Sequence, residues 1–411
     1  MTSGLEELEK RGFLQQCTDL ERLEEIMSQE SVSFYVGVDP TARSLHIGHM
    51  VPFYAMAHLQ QHGHRPIVVV GGGTGLIGDP SGKTEMRKII TLEEIRENEK
   101  AIKSGASKLI DFTEGRAVMV NNYDWLGGLN YIEFLRDIGR HFSVNRMLTF
   151  EAYKQRLERG LSFIEFNYML LQSYDFLILN REYNCKLQVG GDDQWGNIVS
   201  GVELIRRMDG NEAHGLTFPL ITRADGKKMG KSERGAIFLD PELCSPYEFF
   251  QYWRNVNDAD VERFLKMFTF LPMDEIDELA KLEGQDINKV KERLAWEQTK
   301  IIHGEEEANK SLEASKAAFS SGGVADRDGI PSLEVDAAEF ESGINVMDLF
   351  SRTSLCASKS EARRLVKQGG AIVNDRKVED IEENITADEL VDNELLLRAG
   401  KKRYFRIIIK E

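Results

Sequence analysis

The 411-residue chain has only four cysteines, Cys17, Cys185, Cys244 and Cys356. They lie far apart with no Cys-x-x-Cys spacing, which argues against both a disulfide framework and a four-cysteine zinc site. It has no uninterrupted apolar run of about 18 residues, so no membrane span is expected. The opening Met-Thr-Ser-Gly-Leu-Glu-Glu-Leu-Glu-Lys lacks an apolar stretch behind a basic start and is acidic. Neither a secretory signal nor a transit peptide is expected, which points to the cytoplasm. Positive charge is also short: 52 Lys and Arg stand against 68 Asp and Glu, a formal net charge of −16. What remains is an ordinary folded composition, 41% hydrophobic and 29% charged, long enough for two or three domains.

The charge is unevenly spread. Residues 343–411 hold 13 basic and 12 acidic side chains, so they carry +1 and the preceding 342 residues carry −17. Arg352 to Lys377 contains seven basic residues (Arg352, Lys359, Arg363, Arg364, Lys367, Arg376, Lys377) against Glu361 and Asp375. A local basic patch on an acidic body points to a polyanion bound at one place. The alternative is a merely solvated helix face.

Val32, Phe34, Val36 and Val38 alternate, the period-two signature of a strand, and Asp39-Pro40-Thr41 ends it as a turn. Ile67–Val70 is a short apolar run of the buried parallel-strand kind, and it leads into Gly71-Gly72-Gly73. Further strands are predicted at Ala117–Val120, Lys186–Val189 and Leu216–Ile221, with helices around 50–62, 91–110, 131–139 and 163–180. That alternation predicts an α/β, Rossmann-like catalytic domain with a mostly parallel sheet over 1–232. Residues 233–325 read as an all-helical domain and 326–342 as a linker. Residues 343–411, with a basic helix at 358–368 and strands at 371–374, 394–397 and 403–409, read as a small α+β unit.

Five of eight histidines fall within 46–64, yet there is no His-Glu-x-x-His and no Cys or acid at ligand spacing, so no bound metal is expected. The informative pair is His46-Ile47-Gly48-His49. Pro52 is tolerated only in a first helical turn, so a helix begins near Gly48 with both imidazoles at its positive, N–H-bearing end. Gly73-Thr74-Gly75-Leu76-Ile77-Gly78 matches a dinucleotide fingerprint, the mark of a nicotinamide or flavin oxidoreductase. However, Asp79-Pro80-Ser81-Gly82 follows where an apolar helix should start, and no acid-tipped strand lies at the required offset. Gly78 to Thr84 misses a P-loop by one residue, because Ile77 stands where glycine is needed. Ala224 to Gly235 is a glycine-bearing, lysine-rich loop able to close on an anion, unless it is only a linker.

Tyr168, Gln172 and Asp175 fall at i, i+4 and i+7 on one face of an apolar helical segment, a polar stripe that needs partners. Tyr35 and Gly37 share the face of their strand opposite the valines. There glycine leaves room for a ligand. Asp39, Gly71–Asp79, Asn121-Asn122 and Gly190–Gln194 all fall just past carboxyl ends of strands, the ligand-binding edge of an open parallel sheet.

Together these residues resemble the tyrosyl-tRNA synthetases of bacterial type, class I aminoacyl-tRNA synthetases. The resemblance runs in order through Tyr35–Thr41, His46–His49, Gly71–Gly82, Asn121–Trp125, Phe163–Phe176, Gln188–Asn197 and a Lys-Met-Ser-Lys-Ser-like stretch at Lys228–Ser232. The basic tail resembles a small RNA-binding module shared with a ribosomal protein. The resemblance implies ATP-dependent activation of L-tyrosine, with Mg2+ accompanying ATP, and transfer to tRNA(Tyr) by a homodimer. By the same resemblance Thr41, His46, His49, Lys83, Arg87, Lys228 and Lys231 would stabilise the reacting phosphates. Tyr35, Asp79, Tyr168, Gln172, Asp175 and Gln188 would hold tyrosine. Gly37, Asp39, His46, Gly48, His49, Gly191, Asp193, Gln194 and Lys231 would hold ATP, and Arg352, Lys359, Arg363, Arg364 and Lys367 would bind RNA.

A site pairing a buried hydroxyl rejects phenylalanine because its own polar groups would be stranded, a rule this family itself commonly illustrates. The alternatives are a tryptophanyl-tRNA synthetase, disfavoured by the Tyr35 and Asp175 pair, and a non-catalytic RNA-binding relative, disfavoured by intact His46, His49, Lys228 and Lys231. Two departures stand out. Gly230 interrupts the lysine motif, and Asp192, where many relatives have serine, is expected to add a carboxylate near the triphosphate.

Overall fold

The computed structural model describes residues 3–410 apart from 80, 82–90, 159, 223, 225–228, 230, 233–234, 320–329, 342, 392 and 401–402. For 155, 231–232, 235, 317–319, 338 and 341 only the backbone is described. The described chain forms two compact units. The first comprises Met1–Lys231, Ala236–Asp240 and Val256–Val290; the second holds the remainder.

A six-stranded sheet organises the first unit: β1 (Gln16–Cys17), β2 (Ser33–Val38), β3 (Arg65–Val70), β4 (Val118–Asn121), β5 (Cys185–Gly191) and β6 (His214–Phe218). Its order is β1-β6-β5-β2-β3-β4, and only the β1–β6 pair is antiparallel. The chain therefore leaves β2 toward β3 in one direction and returns through β5 in the other. That order reversal opens a crevice beyond the carboxyl ends of β2 and β5. Register places Tyr35 beside Ile67 on β3 and beside Gln188 on β5. Pro66, Ile67, Val68, Val69 and Val70 are all buried, as a parallel strand covered on both faces requires.

The Phe163–Tyr183 helix starts with a reciprocal cap between Ser162 and Glu165 and stops at Asn184, which takes a left-handed conformation (φ 49°). Glu165 also takes a bidentate bond from Arg156 at 2.7 and 3.0 Å, so a buried charge pair sets the entry of this helix. Tyr35 and Phe176 meet in the core at a ring separation of 5.3 Å.

Three differences from the sequence expectations have physical causes. The strand read at Leu216–Ile221 runs instead over His214–Phe218, because Pro219 offers no N–H to continue a ladder. The helices Val261–Phe268 and Met273–Leu279, expected in a separate helical domain, belong to the first unit. Phe268 packs edge-on against Tyr54 at 5.6 Å, and Arg11 donates to the carbonyls of Lys266, Thr269 and Leu271 at 2.8–3.0 Å. Within the expected linker 326–342, Ser332–Asp336 is a strand pairing parallel with Arg403–Lys410, and Ala337–Glu341 is a helical turn. Its alternation of buried and exposed residues fills the open edge of the C-terminal sheet.

The second unit includes the Pro246–Arg254 and Glu305–Phe319 helices and a five-stranded sheet over Ala371–Val373, Arg376–Lys377, Glu394–Ala399, Arg403–Lys410 and Ser332–Asp336. Leu349, Phe350, Ala362, Val366, Leu397 and Ile407 form its C-terminal core. Val346–Ser351 and Lys359–Lys367 are the helices packed there.

Arg11 is 4% exposed, bonded to three carbonyls and to Glu7 at 2.5 Å. Arg11→Ala strands those acceptors, so it is expected to lower stability by about 3 kcal/mol in urea unfolding.

Candidate active site

A cavity of about 930 Å3 occupies the crevice at the ends of β2 and β5. It is lined by Tyr35, Gly37, Asp39, Thr41, His46, Gly48, His49, Asp79, Tyr168, Gln172, Asp175, Gln188, Gly191, Asp193 and Gln194. The described sequence candidates for tyrosine, ATP and the reacting phosphates thus converge there. Lys83, Arg87 and Lys228 lie outside the described residues, as does the Gly230 departure, and Lys231 is described only as backbone in a short strand. Among the described lining residues Arg43 is the cation, whereas Asp39, Asp79, Glu94, Glu97, Asp175 and Asp193 are acids.

At one wall the 163–183 helix presents Asp175, which is buried. Its Oδ1 accepts from Trp125 Nε1 at 2.7 Å and its Oδ2 from Asn122 Nδ2 at 2.9 Å. Asn122 is itself held, donating to Thr74 Oγ1 at 2.9 Å and accepting from the Gly73 amide at 2.7 Å. Burial pushes the Asp175 carboxyl up to about 7, against the pull of the Asn122 and Trp125 donors. The Tyr35 hydroxyl is buried without a hydrogen-bond partner among the described residues, and so is Gln188 Oε1. Burial raises the Tyr35 phenol well above its ordinary value, and the nearby Asp175 charge adds to this. The wall therefore offers an unpaired phenol and amide oxygen and a carboxylate with capacity left to accept.

Also lining the cavity, Asp79 accepts from the Ser81 amide at 2.9 Å and from Gln194 Nε2 at 2.7 Å. Burial and the neighbouring Asp39 push it up to about 6, opposed by the Ser81 and Gln194 donors. Asn197 Nδ2 contacts Gln194 Oε1, Gln172 Oε1 and Ser81 Oγ at 3.0, 3.1 and 3.3 Å.

The opposite wall is the start of the Met50–Gln61 helix, preceded by a 3-10 turn over Ile47–His49. His46 Nδ1 accepts from the Gly48 amide at 3.0 Å and His49 Nδ1 from the His46 amide at 3.2 Å. Each neutral ring then carries its proton on Nε2, a hydrogen-bond donor. The rings stack at 3.9 Å. A Cβ at Gly48 would lie 2.8 Å from His46 Cε1, so glycine there protects the ring's position, while a Cβ at Gly37 would meet nothing within 4 Å and would enter the cavity.

Asp192 corrects an expectation. Its Oδ1 is taken by Gln16 Nε2 at 2.5 Å and Thr217 Oγ1 at 3.0 Å, and it does not line the cavity. It ties its turn to β1 and β6 instead of adding a carboxylate to the ligand space. Asn122, Trp125, Ser81 and Asn197 were not singled out as site residues. All four fall within the stretches that carry the family resemblance, and Asn122 also just beyond a strand end, but nothing in the sequence gave them a role, because that role is to bond other side chains.

Residues 27–320 match the family described as tRNA synthetases class I (W and Y). Residues 324–407 match the tyrosine–tRNA ligase SYY-like C-terminal domain. The tyrosine–tRNA ligase of Treponema denticola is 57% identical over 409 residues, 99% of this chain and 100% of the relative. That of Acetivibrio thermocellus is 55% identical over 407 residues, 99% of each.

The chain belongs to the tyrosine–tRNA ligase family.

A C-terminally truncated mitochondrial tyrosyl-tRNA synthetase of Aspergillus nidulans superposes with TM-score 0.70 at 31% identity, covering 78% of this chain and 95% of that one. A tryptophanyl-tRNA synthetase of Encephalitozoon cuniculi shares the fold at TM-score 0.56 and 14% identity, covering 74% and 87%. Family membership thus supports tyrosine over the tryptophan alternative.

Trp125→Phe removes one of the two donors that oppose burial at Asp175. The Asp175 carboxyl is expected to titrate above about 7 in the variant, read by carbon NMR of aspartate-labelled protein.

Proposed function

We propose that the chain activates L-tyrosine with ATP and transfers the tyrosyl group to tRNA(Tyr). The observation that carries tyrosine as substrate is the buried, unpartnered Tyr35 hydroxyl lining the same cavity as the Asp175 carboxylate. A phenol can accept from the first and donate to the second. An indole N–H cannot accept, and phenylalanine strands both groups.

In the reading proposed here Asp79, Tyr168 and Gln172 receive the substrate ammonium, and Gln188, beside Tyr35 in register, is assigned to the same amino acid. The substrate carboxylate is already a nucleophile: one of its oxygens bonds the α-phosphorus of ATP while the bond to the bridging oxygen breaks and pyrophosphate leaves. No protein nucleophile is needed, so the residues position reactants and stabilise charge. The Nε2 donors of His46 and His49, at a helix start, suit the phosphate as it gains charge, with Thr41 beside them. Gly37, Asp39, Gly48, Gly191, Asp193 and Gln194 are assigned to ATP, and Lys83, Arg87, Lys228 and Lys231 to pyrophosphate. Mg2+ enters with the triphosphate as part of the substrate.

The tRNA is assigned to residues 233–325 and to the C-terminal segment. Support for the latter comes from Arg352, Lys359, Arg363, Arg364 and Lys367, all exposed. Arg352 pairs with Glu339 and Lys359 with Asp348. Arg376, from the same basic run, is taken up by Glu383 and Glu389 and is not assigned to RNA. A homodimer is supported by exposed Tyr131, Ile132, Val144, Leu157, Phe163 and Ile164, crowded into 34 residues of the first unit. A cytoplasmic location accords with this chemistry; no described helix is long and apolar enough to cross a membrane.

The deciding experiment is exchange of labelled pyrophosphate into ATP. Exchange is expected with tyrosine and not with phenylalanine or tryptophan; exchange with tryptophan, or with none of the three, overturns the reading. Asp175→Ala is expected to weaken tyrosine by about 2–3 kcal/mol, roughly 30- to 160-fold, with ATP affinity kept, as read by calorimetry. Asp79 must be ionised to hold an ammonium, so tyrosine affinity should bend downward as pH drops through about 6, distinct from the Asp175 titration near 7. Asp79→Asn should abolish that bend. Ending the chain at residue 323 should spare exchange and depress tRNA charging at physiological salt, which aminoacylation assays would show.

A further inference from the structure

Asn197 sits on the first turn of the Trp195–Asp209 helix, buried at 4% exposure, and does not line the cavity. Its amide nitrogen is nevertheless within hydrogen-bond distance of three acceptors from three separate segments: Gln194 Oε1 at 3.0 Å, Gln172 Oε1 at 3.1 Å and Ser81 Oγ at 3.3 Å. Each of those residues does line the cavity.

The consequence lies in which end of each group is left. With Oε1 occupied by Asn197, the Gln194 amide must turn its Nε2 the other way, and that Nε2 donates to Asp79 Oδ2 at 2.7 Å. With its lone pair engaged by Asn197, the Ser81 hydroxyl is free to direct its proton to Asp79, and the Ser81 side chain does bond that carboxylate. With Oε1 fixed toward Asn197, the Gln172 amide keeps a second lone pair on the same oxygen. A donor-only nitrogen, its two N–H shared among three acceptors, thus biases how those side chains turn, and Gln194 and Ser81 both act on Asp79. If the Gln194 amide flipped, its oxygen would face the carboxylate.

We propose that Asn197 is a positioning residue for the substrate ammonium, acting through Gln194, Ser81 and Gln172 to keep Asp79 ionised, aimed and ready to accept it. This rests on the assignment of Asp79 to the ammonium of tyrosine. Its specific content is that, of the two ends of the amino acid, Asn197 serves the charged amino group and not the phenol, without touching ligand.

The test compares full-length wild type with Asn197→Ser and the near-isosteric Asn197→Asp, each first checked for folding by its thermal melt. Calorimetry measures two ligands: L-tyrosine and its desamino analogue 3-(4-hydroxyphenyl)propionate. Asn197→Ser is expected to weaken tyrosine about tenfold and Asn197→Asp more, since a carboxylate offers no N–H and repels the oxygens it faces. Both should leave the desamino acid within about twofold of wild type, and neither should weaken tyrosine further in an Asp79→Asn background. Equal losses for tyrosine and the desamino acid, or no loss for tyrosine, overturn the positioning role while leaving the Asp79 assignment standing. If wild type itself binds the desamino acid as tightly as tyrosine, the Asp79 assignment falls and the role of Asn197 with it. Should Asn197→Asp fail to fold, Asn197→Ser and its Asp79→Asn double variant carry the same comparison.

Discussion

A carboxylate held inside an apolar wall is the constraint around which the site is arranged. Asp175 stands on a helix otherwise rich in Phe, Leu and Met, beside Phe176 and near the Tyr35 ring, where water does not solvate it. Such a group is tolerated only when donors meet it, and the fold brings Trp125 and Asn122 from the end of β4 to do so. Asn122 is in turn fixed by Thr74 and the Gly73 amide from the end of β3. Two strand ends and one helix are therefore locked to a single charge.

That arrangement costs stability in a definite direction of pH. Asp175 and Asp79 titrate near 7 and 6 in the folded chain, above the ordinary aspartate value of 3.8. The folded state holds protons that the unfolded chain has already released. The contribution of these two groups to stability is thus greatest below about 4 and declines as pH rises through these values. At neutral pH the two carboxylates are a stored cost, which in the proposed reading a ligand bearing a phenol and an ammonium relieves.

The chemical end of the site works by a different economy. The two histidines present their Nε2 protons because backbone amides occupy Nδ1, and the short turn before Met50 fixes both rings with one local hydrogen-bond pattern. Glycine at 48 leaves the His46 ring undisturbed. The remaining histidines of the cluster take no part: burial holds His58 and His64 well below the ordinary imidazole range, at about 3 and 4, as neutral core residues.

Much of this was legible from residue order. Alternating Val32 to Val38 and the apolar 67–70 run gave parallel strands, Pro52 located a helix start, and the i, i+4, i+7 spacing of Tyr168, Gln172 and Asp175 gave one polar face, because strand and helix periods are local properties of the backbone. Tertiary structure decided what local period cannot encode. Pro219 cut a strand short, Ser332–Asp336 joined a sheet 70 residues further along the chain, and Asp192 turned to Gln16 and Thr217. Asn122, Trp125 and Asn197 lie in stretches that carry the resemblance, but their use is not legible there, since hydrogen bonds between side chains 25 to 116 positions apart exist only once the fold has brought those positions together. The sequence by itself determined the fold class and named the candidates that line the cavity among the described residues; the structure alone decided which side chains aim them, because aim depends on distances that only packing sets.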